Sequence, residues 1–307
     1  MVKISVVVPV ASDKRLSRCL EALAHQTIHA RQYEVLVADN AASERTRRMV
    51  GVGPARYLVA PGPGAYAARN HGIREAKGEI LAFTDSDCVP PSEWLEVISS
   101  VFERGGLDVA VGPSYAVDTA PVGLLIQAVD DRRWARLAGE RRVMYADTRN
   151  LAGPRELFVR EPFDEAFRHG GDLEWGMRVA HLGTRIEFVP AMALGHANVS
   201  TLREAWRRGV RRGRGVARLA QKHGDAASIS GARSLALFGR DVKAPVLRIL
   251  THPIMRPLSR PVFTAVTGAA MAAVWMCLAT GGLRRWSLPC FTMFDRTSLL
   301  LGRIIGP

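Results

Sequence analysis

The stretch "ILAFTDSDCVPPSEWL", residues 80–95, places two carboxylates directly after a short apolar run. The run 80–83 predicts a buried strand, and "SEWLEVI" after the two prolines predicts a helix. Asp85 and Asp87 therefore follow the carboxyl end of a strand, where open α/β sheets bind their ligands. Turn chemistry is one explanation, because Asp, Ser and Pro favour turns and helix starts. A divalent cation is the other, since paired carboxylates suit Mg²⁺ or Mn²⁺ ions that also hold phosphates.

Strand-like and helix-like segments alternate through the N-terminal part of the chain. Continuous apolar runs such as "ISVVVPV" (residues 4–10) and "YEVLVADN" (33–40) are typical of buried parallel strands. Between these two runs, apolar residues recur at helical spacing in "RLSRCLEALAHQ" (15–26). The segment "GAYAARNHGIREAKG" predicts a helix that ends at Gly78. This alternation predicts an α/β fold with a mostly parallel sheet flanked by helices.

Positive charge is concentrated in the C-terminal third. The formal net charge is +13, and residues 201–307 hold 18 Lys and Arg against 4 Asp and Glu. Seven arginines fall in one helix-like stretch, residues 203–218, which Thr201 and Glu204 open as a capping box. The asymmetry predicts an anionic partner, either a membrane surface or a nucleic acid. We favour the membrane and expect no nucleic acid, because no nucleic-acid-binding motif accompanies the arginines.

An uncharged segment, residues 261–283, follows the basic stretch and has arginines on both sides. Its length fits a membrane span, which needs about 20 apolar residues, but Ala, Gly and Thr make it only moderately hydrophobic. Three alternatives stay open: a spanning helix, an interfacial or hairpin-like helix, and a buried helix of a soluble protein. We therefore divide the chain into an α/β domain (1–200), a basic helical segment (201–260) and an apolar, helical C-terminal segment (261–307).

Cysteine usage and the first residues predict the cellular compartment. The cysteines are scattered and form no C-x-x-C pair, which predicts reduced thiols rather than a disulfide framework or a zinc site. They are Cys19, Cys88, Cys277 and Cys290. The start "MVKISVVVPV" passes from one Lys directly into a strand-like run, so we expect no cleaved signal peptide. We expect a cytoplasmic protein, peripheral to or anchored at the inner face of the cell membrane.

A glycine-rich stretch, "YLVAPGPGAYAARNHG", matches a dinucleotide-binding pattern in form, with Gly62, Gly64 and Ala67 at the G-x-G-x-x-A positions. That fingerprint normally sits in the first strand–helix unit of its fold, whereas here it follows the third predicted strand. Its two intervening prolines also fit a phosphate-binding turn poorly. The glycines therefore indicate a tight strand-to-helix loop rather than a dehydrogenase.

Several segments carry a family resemblance through their order along the chain. They are "ISVVVPV", "VADNAAS", "GAYAARNHGI" and "FTDSDCVPPSEWL", followed by "HGGDLEWGMRVAHLGTRIEFVP" and "LGHANVSTLREAWRRGVRRGRG". Together they resemble family 2 glycosyltransferases of the GT-A fold, over residues 1–220. The last two segments are similar to the acceptor-side motif of that family and to its histidine with a basic helix. The resemblance implies that residues 1–200 bind a nucleotide sugar and carry the catalytic site.

The resemblance implies a donor-binding role for each matching position on the nucleotide side. Pro9 would pass close to the nucleotide, and Asp39 would accept a hydrogen bond from its base, which we expect to be uracil. Arg69 joins this donor-binding set, Asp85 would lie near the ribose or the donor sugar, and Asp87 would meet the diphosphate. Structural alternatives exist, because Asp39 could simply start a turn and Arg69 could lie on a helix surface.

The same resemblance implies a metal and a catalytic base. Asp87 would bind the Mg²⁺ or Mn²⁺ ion that bridges the diphosphate, with Asp85 and His196 as further ligands, although His196 could also be an ordinary partly buried histidine. Asp172 would be the catalytic base. Many family members have an acidic pair before the acceptor-side helix, but here one acid is replaced by Gly171. Glu174 should point elsewhere on the helix, so we favour Asp172 as the base.

The sequence thus predicts an inverting, metal-dependent glycosyltransferase that moves a sugar from a UDP-linked donor to an acceptor hydroxyl. The acceptor is open: a glycan, a lipid-linked molecule or a small molecule. The chain lacks Gln-x-x-Arg-Trp, the pattern of processive synthases in this family, so we expect the addition of one or a few sugars. Two other classes remain as alternatives: a nucleotidyltransferase, and a non-catalytic membrane-binding protein with a degenerate transferase fold.

Overall fold

The structure is a computed structural model that describes residues 2–140, 143–235, 256–280 and 284–305. It divides into two compact units, residues 1–117 with 134–197 and residues 118–133 with 198–307. Residues 236–255 of the predicted basic segment lie outside the described residues, as do residues 281–283 of the uncharged segment. The side chains of Cys277 and Cys290 lie outside them too, whereas Cys19 and Cys88 are buried thiols.

The strands all belong to the first unit. In chain order they are β1 (Ile4–Val10), β2 (Tyr33–Asp39), β3 (Arg56–Val59), β4 (Ile80–Phe83), β5 (Cys88–Val89), β6 (Val109–Val111), β7 (Ser114–Ala116), β8 (Leu151–Pro154), β9 (Ile186–Phe188) and β10 (Leu194–His196). Seven of them form one sheet in the order β3-β2-β1-β4-β8-β6-β9, and β5, β10 and β7 form a second sheet. In the large sheet, β8 runs antiparallel to its two neighbours and the other pairs are parallel. The predicted mostly parallel α/β fold is confirmed.

Helices cover the sheet and build the second unit. In chain order they are α1 (Leu16–Ala24), α2 (Glu44–Gly51), α3 (Ala65–Glu75), α4 (Trp94–Arg104), α5 (Pro121–Leu137), α6 (Arg155–Arg160), α7 (Gly171–His181), α8 (Leu202–Leu235), α9 (Arg256–Thr280) and α10 (Arg284–Ile305). The apolar faces of α1 and α4 share one core cluster with residues of β1 and β2. Helix α3 lies close to β1, because a Cβ at Gly72 would stand only 2.5 Å from the side chain of Val7.

Two glycines lie on either side of α3, and one of them differs from expectation. Gly64 precedes the helix with φ at 100°, a backbone conformation that favours glycine, so the tight strand-to-helix loop is present. The helix ends at Glu75 rather than at Gly78. Gly78 is instead required by a close backbone approach, since a Cβ there would lie 2.6 Å from the amide nitrogen of Ser5.

The second unit is helical. Helix α10 packs against both α8 and α9, and Ala205, Val274 and Phe291 belong to an apolar cluster that also includes residues of α5. This packing explains why residues 118–133 group with the C-terminal helices rather than with the preceding α/β domain. The predicted capping box of α8 is confirmed by reciprocal hydrogen bonds between Thr201 and Glu204. Within the described parts of the chain, every helix is too short or too polar to cross a membrane.

Candidate active-site cleft

Strand pairing brings the predicted donor-side residues to one edge of the sheet. In the parallel register Val10 at the end of β1 is level with Asp39 at the end of β2, and Phe83 at the end of β4 is level with Val7. Strands β2 and β4 flank β1 on opposite sides, so this edge is the point where the strand order reverses, the usual ligand crevice of open α/β sheets. A cleft of about 280 Å³ opens here. It is lined by Pro9, Val10, Ala11, Asp13, Asn40, Ala65, Arg69, Asp85, Ser86 and Asp87.

Asp87 lies among cationic and hydrogen-bonding side chains. Antiparallel pairing of β10 with β5 sets His196 opposite Cys88, which places His196 Nε2 at 3.6 Å from Asp87 Oδ2. Arg15 Nη1 approaches the same oxygen at 3.4 Å. Burial favours the protonated form of Asp87, but His196, Arg15 and Arg149 outweigh it and lower its pKa to about 2. Asp87 is therefore a carboxylate throughout the neutral range.

Asp85 differs from its neighbour in the same loop. Its Oδ1 accepts a hydrogen bond from Arg69 Nη2 at 2.5 Å, and Arg69 itself is only 3% exposed. Arg69 therefore lines the cleft and does not lie on a helix surface. Burial raises the pKa of Asp85; Arg69 opposes that rise, while the charges of Asp87 and Asp147 add to it.

Asp39 is fully buried and holds the loop that follows β2. Its Oδ1 accepts a hydrogen bond from the Ala41 amide at 2.8 Å. Its Oδ2 accepts one from the Ser43 amide at 2.8 Å and one from the Tyr57 hydroxyl at 3.0 Å. These three hydrogen bonds fix the loop that carries Asn40, which lines the cleft. Contact between Asp39 and a nucleotide base stays a prediction.

Asp172 lies in the first turn of α7 and has a different electrostatic environment. Its Oδ1 accepts hydrogen bonds from the Leu173 amide at 2.9 Å and from the Tyr66 hydroxyl at 3.1 Å. Burial raises the pKa of Asp172, and the charge of Asp147 raises it further. Arg69, the Leu173 amide and the Tyr66 hydroxyl oppose the rise without cancelling it. This carboxyl group is therefore easier to protonate than an ordinary aspartate.

Packing explains the glycine at the position before Asp172. A Cβ at Gly171 would lie 2.7 Å from Tyr66 Cε2, so an acidic side chain there would displace the tyrosine. Glu174, the other acid of this turn, is fully buried and paired with Arg178 at 3.2 Å. Asp172 is therefore the acid of this turn that is hydrogen-bonded to Tyr66.

Helix α3 connects the two carboxylate sites. Tyr66 and Arg69 lie one turn apart on it, with the Arg69 guanidinium 5.4 Å from the centre of the Tyr66 ring. Tyr66 contacts Asp172 and Arg69 contacts Asp85. A displacement of this helix turn would therefore disturb both sites together.

Two arginines near Asp87 were not anticipated from the sequence, and both occur in an Asp-x-Arg pattern. Arg15 donates from Nε and Nη2 to the two carboxylate oxygens of Asp13, at 3.0 and 2.8 Å. Arg149 makes the same fork with Asp147, from Nε at 3.0 Å and Nη2 at 2.5 Å. In each case the arginine amide also donates to the aspartate. The repeated Asp-x-Arg spacing after irregular segments is the signal that could have identified them.

The cleft can contribute ligands to a divalent cation without enclosing it. Among the residues that the structure describes, no group of three or more His, Cys, Asp or Glu side chains is placed to hold a metal. The 3.6 Å between Asp87 Oδ2 and His196 Nε2 is nevertheless compatible with one shared ion at about 2.0–2.2 Å from each atom. Ions such as Mg²⁺ commonly combine one or two protein ligands with substrate phosphates. The donor set therefore fits a cation that binds together with a diphosphate.

Comparisons with known proteins agree with this geometry. Residues 5–164 match the family model described as Glycosyl transferase family 2. The chain is 31% identical over 199 residues to the glycosyltransferase AglE of Haloferax volcanii, covering 60% of this chain and 64% of AglE. The mannosyltransferase PcManGT of Pyrobaculum calidifontis, solved with GDP-Man and Mn²⁺, superposes with a TM-score of 0.66 at 19% identity, over 99% of this chain and 86% of that one. S. aureus TarS with UDP-GlcNAc gives 0.54 at 18% identity, over 95% and 90%.

Proposed function

The chain belongs to glycosyltransferase family 2, and we propose that it transfers a sugar from a nucleoside-diphosphate donor to an acceptor hydroxyl, with inversion at the anomeric carbon. One observation carries the proposal: the pKa of Asp87 is lowered to about 2, whereas the pKa of Asp172 is raised. A pair of acids whose environments separate their pKa values is the usual basis for dividing roles in catalysis. The ionised Asp87 suits a role at the diphosphate leaving group, and Asp172 suits a role in proton transfer.

On the donor side, the cleft would receive the nucleotide and its diphosphate. Asp87 and His196 would hold a divalent cation, Mg²⁺ or Mn²⁺, with Asp85 reaching it through water. When bound, the cation supplies Lewis-acid stabilisation of the diphosphate leaving group. Arg69 is buried against Asp85 and orients that carboxylate toward the donor. The Mn²⁺ and GDP-Man in the PcManGT structure support a metal and a nucleotide sugar in this fold.

For the nucleotide we propose uridine, on the loop that Asp39 holds and Asn40 presents to the cleft. Solved structures of similar fold bind different bases, with GDP-Man in one and UDP-GlcNAc in another. The base is therefore set by local contacts at this loop rather than by the fold.

On the acceptor side, Asp172 would take the proton of the attacking hydroxyl as the new C–O bond forms. Its Oδ1 accepts hydrogen bonds from the Leu173 amide and the Tyr66 hydroxyl, which fixes the carboxylate, and Oδ2 would receive the proton of the acceptor. Its raised pKa makes Asp172 a stronger proton acceptor than an ordinary aspartate. Direct displacement of the diphosphate inverts the anomeric centre, so an α-linked donor gives a β-linked product.

A donor screen tests the proposal. Purified protein is incubated with UDP- and GDP-sugars and Mn²⁺ or Mg²⁺, and released nucleoside diphosphate and pyrophosphate are measured separately. We expect slow, metal-dependent release of nucleoside diphosphate from one donor, which Asp87→Ala removes. Pyrophosphate as the product would identify a nucleotidyltransferase. Lack of turnover with every donor, together with unchanged nucleotide binding in Asp87→Ala, would contradict the assignment of the cleft.

We further propose that the second unit binds an anionic membrane surface. On α9, Thr267, Ala270 and Val274 are buried, while apolar side chains elsewhere on the helix are exposed: Val266 at 41% and Trp275 at 67%. Helix α8 adds exposed arginines to this unit. Lys and Arg near an anionic bilayer contribute about 1 kcal/mol each, which salt weakens, while inserted apolar side chains contribute a part that salt leaves in place.

Liposome co-sedimentation tests this membrane proposal with the full chain. Binding to anionic vesicles should fall at high salt, and Trp275→Ser should reduce the salt-resistant part. Leu182→Ser is a suitable control, since Leu182 is an exposed apolar residue of the first unit, at 64% exposure. Protein that stays in the supernatant with anionic vesicles at low salt would contradict membrane binding.

A further inference from the structure

Arg15 places a guanidinium on the carboxylate oxygen that a metal would need. Its Nη1 lies 3.4 Å from Asp87 Oδ2, the same oxygen that His196 Nε2 approaches at 3.6 Å. Nη1 also donates to the carbonyl of Ala197 at 3.3 Å, on the residue that follows β10. The guanidinium therefore occupies one side of the candidate cation position.

Asp13, in the loop before α1, binds the opposite side of this guanidinium. Two of its nitrogens, Nε and Nη2, donate to Asp13, and the backbone amide of Arg15 donates to the same carboxylate at 2.9 Å. The Ser86 hydroxyl, from the loop that carries Asp87, donates to Asp13 at 3.2 Å. Asp13 and Asp87 both line the cleft. Arg15 is thus held beside two residues of the cleft in which the diphosphate would lie.

We propose that Arg15 is a positioning residue that competes with the divalent cation for Asp87 and turns to the donor diphosphate when the cation binds. The inference rests on the proposed function of the cleft. A guanidinium and a divalent ion within a few ångströms of one carboxylate repel each other, so the ion binds weakly until the Nη1 side of Arg15 has an anion other than Asp87 to pair with. A diphosphate supplies that anion, because guanidinium groups pair well with phosphate oxygens.

The consequence is positive coupling between metal and nucleotide. Each should raise the affinity of the other by the same factor, since binding free energies are reciprocal. Without Arg15, Asp87 would be available to the ion even before the donor arrives. Metal binding to the free protein should therefore become tighter, while its dependence on nucleotide becomes weaker.

The test measures Mn²⁺ affinity directly, from the free-ion signal in electron paramagnetic resonance. The full chain is titrated with Mn²⁺ alone and in the presence of UDP or GDP, as the wild type and as Arg15→Gln. We expect Arg15→Gln to bind Mn²⁺ about three- to fivefold more tightly without nucleotide, the upper part of the range for a partly exposed ion pair. With nucleotide, its gain in Mn²⁺ affinity should be smaller than that of the wild type.

Three further variants identify the cause. Lys14→Gln removes an exposed charge from the adjacent position and should behave as the wild type. Arg15→Met keeps the apolar stem without the charge and should repeat the Arg15→Gln result. If one of these two neutral variants fails to fold, the other still tests the proposal. Arg15→Lys keeps the charge but loses the bidentate pairing with Asp13, so its affinity for Mn²⁺ alone should lie between those of the wild type and Arg15→Gln.

Three results would overturn these claims. If both neutral variants bind Mn²⁺ no more tightly than the wild type, while Asp87→Ala loses it, Arg15 is not a competitor. If Arg15→Lys binds Mn²⁺ as tightly as Arg15→Gln does, the positive charge of residue 15 is not what weakens Mn²⁺ binding. If Asp87→Ala binds Mn²⁺ and nucleotide as the wild type does, the metal assignment of the cleft itself fails, whatever Arg15 does.

Discussion

Asp87 and Asp172 are two half-buried aspartates of the same unit, and their surroundings change their pKa values in opposite directions. Burial favours the protonated form of both. Around Asp87, His196 and Arg15 outweigh burial and lower its pKa to about 2. Around Asp172, the charge of Asp147 adds to burial, and its pKa is raised. The difference comes from the neighbours and not from the degree of burial.

This contrast matches the two demands of glycosyl transfer. The diphosphate side needs a carboxylate that stays charged while it helps to hold a cation, and the acceptor side needs one that can take a proton. Tyr66 and Arg69 on α3 stand between the two acids and contact one side each. Substitutions at the two aspartates should therefore separate donor binding from transfer.

The largest effect is expected on the donor side. Asp87→Ala should abolish metal-dependent nucleotide binding and turnover, because it removes the carboxylate that we assign to the cation. Nucleotide titration with and without Mn²⁺, together with a transfer assay, measures both. Glu93→Ala removes an exposed acid from the same strand-to-helix connection and is the matched control. Unchanged activity with the same metal response in Asp87→Ala would contradict the donor-side role.

Asp172→Asn should reduce transfer by about 10²-fold or more, the usual scale for losing a general base. Nucleotide binding should persist, because Asp172 is absent from the cleft lining. Glu174→Gln provides the comparison, since Glu174 is buried against Arg178 and should affect thermal stability more than chemistry. If Glu174→Gln folds normally and loses more transfer than Asp172→Asn, the two acids exchange roles.

The pH profile tests the raised pKa of Asp172 directly. A base works only when ionised, so activity should rise as pH increases through the pKa of Asp172. The Tyr66 hydroxyl stabilises the ionised form, so Tyr66→Phe should raise that pKa and move the acid limb to higher pH. The expected shift is about one pH unit, the size of one hydrogen bond to a charged group, roughly 1.5 kcal/mol.

Tyr115→Phe is the control for this profile, because Tyr115 is an exposed tyrosine, at 46% exposure, on β7. Its acid limb should coincide with that of the wild type. If Tyr66→Phe lowers the maximal activity but leaves the acid limb of the pH profile at the wild-type pH, a group other than Asp172 determines that limb.

The sheet could be predicted because its central strands are long and apolar. All seven residues of β1 are buried, and its continuous apolar run has few other interpretations. Strand β8 was missed, since "LAGP" contains a glycine and a proline and has no β-branched residue. The grouping of residues 118–133 with the C-terminal helices could also not be predicted from the sequence. An apolar helix face predicts burial, but not the surface that buries it.

The site residues that follow the end of a strand could be predicted from the sequence. Those that are placed by strand pairing or by side-chain pairing could not. Asp85 and Asp87 follow β4, so the apolar run located them at the sheet edge. The approach of His196 to Asp87 depends on antiparallel pairing between two very short strands, β5 and β10. The position of Arg15 depends on its fork with Asp13. Family resemblance supplied the roles of Asp39 and Asp172, which composition and periodicity could not give.

The smallest effect is expected at the loop behind Asp39, away from the acids compared above. Tyr57→Phe removes one of three hydrogen bonds to a fully buried carboxylate, so the free energy of unfolding should fall by about 1 kcal/mol. The Ala41 and Ser43 amides still satisfy Asp39, so the loop should keep its form and turnover at saturating donor should change little. Denaturant unfolding and the nucleotide KM measure the two effects.

Tyr33→Phe is the matched control, because it removes a tyrosine hydroxyl that donates to the carbonyl of Leu23, and Tyr33 lies at the opposite end of β2 from Asp39. Both variants should lose similar stability, but a rise in the nucleotide KM should appear in Tyr57→Phe alone. Equal KM values in the two variants would mean that Asp39 and its loop serve the fold only. A rise in the nucleotide KM in Tyr57→Phe alone would show that the hydrogen bonds to Asp39 support nucleotide binding.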